Sequence, residues 1–256
     1  MKKKIFRAIS LVLAAVMTLS LCSCMSNMED EVIKRASAVP QTKQEIFDYF
    51  CKAIDNVKTA KPKIDYKLSE KAKSPDCENS NIEAAFATIA KLMTNGKKES
   101  VEYGEDNSAL MPSKMFDFKD IKSANIIDVD DPTSRSYTIV MTIWEEDNPV
   151  QDDSVFGKVY KIAPKDQILE EMKKASAYFT VEDYDSQYNT GTIRATISKE
   201  TDKISELSLD RNVTVSTEIT GQGTLADVGT VPLSFRYEST ESYSFDWDNP
   251  KTAEIE

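Results

Sequence analysis

The chain of 256 residues contains no histidine, seven glycines and four cysteines. Without an imidazole, a Ser-His-Asp or Cys-His nucleophilic site is excluded, and so is any His-ligated zinc or iron centre. None of the seven glycines falls in a phosphate-cradling loop of the GxGxxG or Walker type, so no nucleotide and no other cofactor is implied. Basic residues are also in deficit, 32 against 43 acidic, for a net charge of −11. That balance argues against nucleic acid as a partner. The apolar run Ile9–Leu21 falls short of the roughly 20 residues a bilayer span needs.

What is present begins with that run. Lys2, Lys3, Lys4 and Arg7 precede it and small residues follow, the layout of an export signal. Leu21-Cys22-Ser23-Cys24 resembles the lipobox of bacterial lipoproteins, with Leu three residues before a Cys and a small residue just ahead of it. The resemblance implies cleavage after Ser23, a diacylglyceryl group on Cys24, and a protein held on the outer face of the cell membrane. Cys22 is the other candidate for lipidation, but the bulky Leu21 before it favours Cys24. The leader carries four cations and no acid, so its removal leaves 233 residues at a net charge of −15. Such a chain has no electrostatic reason to approach an anionic surface. The lipid would have to hold it there.

Residues 24–40 (from Cys24 to Pro40) form a polar tether, 41–250 a single domain and 251–256 a tail. Thr42-x-x-Glu45 is a capping box, and Ile46, Phe50, Ala53, Ile54 and Val57 make one apolar helical face that Pro62 ends. Ser80-x-x-Glu83 repeats the box ahead of Ile82, Ala85, Phe86, Ile89, Leu92 and Met93, and Asn95-Gly96 supplies a left-handed stop. Ile64–Leu68 reads as a short strand. Ala124–Val129 and Tyr137–Trp144 read as two longer ones, the second apolar enough on both sides to be covered on both. Val155–Ile162 reads as a strand and Pro164–Ala177 as a third helix.

The chain is then strand-like to its end. Ile193, Ala195 and Ile197 alternate with polar neighbours, Lys199–Lys203 turns, and Leu207, Leu209, Val213, Val215 and Ile219 return before Gly221-Gln222-Gly223 breaks the run. Val231, Leu233, Phe235 and Tyr237 share a parity that Tyr243, Phe245 and Trp247 resume, which predicts either one long bent strand or a hairpin. The fold class these patterns imply is α+β, a curved antiparallel meander, half-barrel-like, on two or three helices.

Three acidic knots, Asp128–Asp131, Glu145–Asp147 and Asp152-Asp153, lack EF-hand spacing and read as solvated turns, so no metal is implied. Cys51 and Cys77 are free to pair or not after export. The aromatics Phe235, Tyr237, Tyr243, Phe245 and Trp247 are the candidate ligand-binding residues, since aromatic faces suit lipids, peptides and sugars, although they equally suit a core. The lipobox, the "TKQEIFDYFCKAIDNVKTAKP" helix and the "ATISKETDKISELSLD" hairpin resemble lipoproteins of Gram-positive gut bacteria. The helix-plus-meander order is similar, more loosely, to the LolA and LppX/LprG type, in which a curved sheet wraps helices and holds lipid. The resemblance implies a fold more than a ligand; the anchor plus an aromatic-lined sheet without catalytic motifs points to an extracytoplasmic binding or carrier module for an apolar ligand or an envelope partner, and to no enzyme, with a carboxylate-dependent envelope hydrolase and a purely structural surface protein as the alternatives.

Overall fold

The computed structural model describes residues 39–73, 75–76, 79–92, 94, 96–111, 117–127, 134–160, 162, 164–173 and 176–248. The leader, Cys22, residues 24–38 of the tether (Cys24 among them), Cys77, Met93, Asn95 and the Asp128–Asp131 knot lie outside them. The chain divides after Gln41, and every element of the fold belongs to the unit that begins at Thr42.

Helix α1, Lys43–Ala60, starts where the capping box predicts: Glu45 donates its amide to Thr42 Oγ1 at 3.2 Å, and Thr42 donates its own to Glu45 Oε2 at 2.9 Å. It stops at Lys61, which is left-handed (φ 51°) and donates its amide to Val57. The buried stripe is the expected one with Phe47 added. Strand β1, Lys63–Ala72, runs ten residues, twice the span expected. Helix α2, Ser80–Leu92, is capped by Asn79 and not by Ser80, since Asn79 Oδ1 accepts from Asn81 and Ile82. The expected stop at Gly96 is instead the first residue of β2, Gly96–Val101.

Strands β3, Ile121–Ile127, and β4, Ser136–Ile143, form the expected pair, and the two-residue β5, Glu146–Asp147, comes next. Only one side of β4 is covered. Ile139, Met141 and Ile143 are buried, while Thr138, Val140 and Thr142 are half-exposed and Trp144 is 48% exposed. The strand expected at Val155–Ile162 is in fact helix α3, Val155–Val159. Ser154 caps it by accepting the Gly157 amide at 2.9 Å, and Phe156, Val159 and Tyr160 fall at the i, i+3, i+4 spacing that buries one helical face. Helix α4 covers Lys165–Lys173.

Three long strands then complete the sheet: β6, Phe179–Ser198; β7, Ile204–Gly221; and β8, Thr230–Asp246. The region expected to be a bent strand or a hairpin is one unbroken strand of 17 residues. The sheet is open, wholly antiparallel, and ordered β2-β1-β8-β7-β6-β4-β3, with β5 on β6. The fold is α+β, an eight-stranded antiparallel sheet with four α-helices among the described residues.

At roughly 3.3 Å per residue the 20-residue β6 extends about 60 Å, longer than one helix can cover. The inner face is accordingly filled in two stretches. In the near half α1 and α3 pack on Ile64, Ile139, Met141, Ile193, Ile197, Leu207, Tyr243 and Phe245. In the far half α2 and the 3-10 turn Gly223–Val228 pack on Ala72, Phe179, Ile219, Leu233 and Phe235. Gly191 lets α3 approach, because a Cβ there would lie 2.5 Å from Ile143 and 2.9 Å from Phe156.

Candidate functional site

The two stretches of core are separated by a polar band on the same inner face. Strand pairing sets Glu70 (β1) opposite Ser239 (β8) and Ser239 opposite Arg211 (β7). Arg211 Nη2 donates to Glu70 Oε1 at 3.4 Å, with the Arg and Glu side chains only 8% and 14% exposed, and its guanidinium lies 5.5 Å from the centre of the Tyr160 ring. Two residues along β8 and on the same face, the buried Glu241 accepts from Tyr243 at 2.9 Å and Tyr66 at 3.3 Å. Burial first, and Glu241 second, drive both phenols well above the ordinary tyrosine range. Ser239 Oγ is buried with no hydrogen-bond partner among the described residues. The band is enclosed, so its chemistry serves packing and strand register.

The sequence-nominated aromatics divide between these layers. Phe235 is buried in the far core, 4.7 Å from the Phe86 ring of α2. Tyr243 and Phe245 are buried in the near core, their rings stacked 6.4 Å apart. Tyr237 is half-buried and hydrogen-bonded to Glu70. Trp247 is half-buried and donates its indole N–H to Ile204 at 2.6 Å. The five share a face, as the parity predicts, but that face is packed under helices. Cys51 is a free, half-buried thiol on α1, and burial pushes it up to about 12.

The opposite face carries the groove. A depression of about 590 Å3 is lined only by strand residues, from β1, β2, β6, β7 and β8. Alternation sends the apolar parity inward and leaves the polar parity outward. The outward side chains are Asp65 and Lys67 of β1, Lys98 and Ser100 of β2, Arg194 and Thr196 of β6, Glu206 and Ser208 of β7, and Ser242 and Ser244 of β8. Register aligns them in rows. One reads Ser100, Asp65, Ser244, Glu206, Thr196, and the next Lys98, Lys67, Ser242, Ser208, Arg194. Within the first, Ser100 donates to Asp65 at 2.5 Å.

The groove therefore offers hydroxyls and charges of both signs, with no aromatic side chain on its outward parity. Asp65 and Glu206 face it from strands separated by β8, but both are exposed, and a general acid needs a desolvated carboxyl. Among the described residues no cluster of three or more Cys, Asp or Glu could hold a metal ion, and no helix is long and apolar enough to cross a membrane. Sequence reasoning missed the groove, although its signal is there: Ser and Thr recur on the parity opposite the apolar one in β6, β7 and β8, Arg194 shares it, and Lys67 and Lys98 take the outward parity of β1 and β2. No protein-family model, curated protein or solved structure matches the chain.

Proposed function

We propose that the protein is an extracytoplasmic binding module, held at the membrane by a lipid on Cys24, that engages a polar component of the cell envelope across the open groove of its sheet. The observation that carries the reading is the groove itself: about 590 Å3 on the face the helices leave uncovered, floored by side chains of five strands that hydrogen-bond and carry charge. Pre-formed depressions with convergent polar groups are the usual place for a ligand. An apolar carrier would need room among Phe235, Tyr243 and Phe245, which instead are buried in the two cores. The lipobox-like Leu21-Cys22-Ser23-Cys24 and the charge of −15 left after cleavage support the anchor.

The anchor is tested by metabolic labelling with a fatty-acid probe: Cys24→Ala loses the label and enters the medium, whereas persistent labelling moves the lipid to Cys22. The groove is tested by retention of soluble wall fragments on the immobilised protein. Replacing both Ser208 and Ser242 with Trp fills the floor and abolishes retention while the melting temperature holds. Equal retention by the wild type and this variant overturns the groove as the binding surface.

A further inference from the structure

We infer that the row Lys98, Lys67, Ser242, Ser208, Arg194 is an anion subsite for a sparsely charged, hydroxyl-bearing chain, an acidic glycan. This rests on the groove being the binding surface. Lys98 and Lys67 are directly paired across β2 and β1 and point to the same face. Like charges set opposite one another on neighbouring strands destabilise a sheet. The chain has acids to spare, 43 against 32 bases, and elsewhere uses them: Lys63 pairs with Glu102, Lys73 with Glu238, Lys122 with Glu145 and Lys165 with Asp183. Among the described residues, none of the three cations of the row has a carboxylate within 4.0 Å. An anionic ligand would supply that missing countercharge.

Geometry narrows the ligand. Strands lie about 4.8 Å apart, so the two lysines converge on one anionic group, and Arg194, three strands from Lys67, sits about 14 Å away to meet a second. Ser242 and Ser208 lie between and serve the intervening hydroxyls. Asp65 and Glu206 occupy the adjoining row. They repel a chain whose charges follow one another with no hydroxyl between them, such as polyphosphate, and accept hydrogen bonds from the hydroxyls of a sugar or polyol. Anionic groups spaced along a polyol backbone satisfy both rows, whether the charge is a carboxylate or a phosphodiester.

The test is calorimetry on the full chain in mild detergent with three probes: a hyaluronan octasaccharide, a glycerol-phosphate oligomer and neutral chitotetraose. At least one anionic probe binds, and the one that binds identifies the source of the charge. Its affinity falls about tenfold or more in the variant K67Q/K98Q and again between low and 0.3 M salt, as screening requires. The melting temperature of K67Q/K98Q equals or exceeds that of the wild type, because the opposed charges are gone. Anionic probes binding no better than chitotetraose, or undiminished by K67Q/K98Q, overturn the subsite. Wall-fragment retention separates the two claims: if it survives K67Q/K98Q but not the double Trp variant, the groove stands and the anion row falls; if it survives both, both fall.

Discussion

Arg211 and Ser239, neighbours across β7 and β8, answer burial in opposite ways. Arg211 is enclosed with Glu70 and the Tyr160 ring, so Arg211→Met strands a carboxylate that is 14% exposed. Breaking such a pair from one side costs about 3 kcal/mol. Urea denaturation reads this directly, and a loss below about 1 kcal/mol would show the pair to be dispensable. Ser239→Ala removes a hydroxyl buried without a partner among the described residues and leaves stability equal or higher by about 1 kcal/mol. Titration adds a further expectation. Burial raises Tyr66, Tyr160, Tyr188, Tyr237 and Tyr243 above the ordinary tyrosine value, and Tyr184 to about 12. A folded pKa above the unfolded one means stability is intact below about pH 10 and is lost as pH rises beyond it. On the acid side, hydrogen bonds from Lys122, Lys165 and Ser108 hold Glu145, Asp183 and Asp106 below the usual carboxylate range, so their small, solvent-screened contribution is present above about pH 4 and lost below it. With no histidine, the melting temperature is flat from about pH 5 to 9; a step near 6.5 would contradict this.

Among the elements, α1 is the one whose ends are chemically explicit. Thr42→Ala removes the hydroxyl that accepts the Glu45 amide and lowers stability by about 1 kcal/mol in thermal melts. That cap, the stop ahead of Pro62 and the Phe50–Val57 stripe depend on residues close in sequence, and this made them legible from the residue order alone. The shared parity of Phe235, Tyr237, Tyr243 and Phe245 was legible for the same reason. It could not say what lies over that parity, because α1, α2 and α3 reach β8 through long-range packing. Val155–Val159 misleads because five residues with three apolar side chains fit an alternating strand as well as one helical turn, and Ser154 is the cap that decides. The groove escaped notice because its rows are assembled by register: Lys98 and Arg194 are distant in sequence and share a line only through three intervening strands.

At the scale of the whole domain, the long sheet is held from one side by two packed stretches and presents its other side to solvent. Among the described residues the far stretch has fewer buried side chains, and Phe86 is the most deeply buried of its three phenylalanines. Phe86→Ala costs about 3 kcal/mol, and amide exchange accelerates at Val231–Tyr237 ahead of Tyr243–Asp246; uniform acceleration along β8 would show that the halves unfold together. A ligand held in the groove meets the outward rows and leaves the aromatic side untouched. Amide chemical-shift mapping on the isotope-labelled protein, titrated with soluble wall fragments, tests it most directly. Binding across the groove confines the perturbations to Asp65–Lys67, Lys98–Ser100, Arg194–Thr196, Glu206–Ser208 and Ser242–Ser244. Perturbations centred on α1, α2 and Leu233–Phe235 would place the ligand in the interior and contradict it.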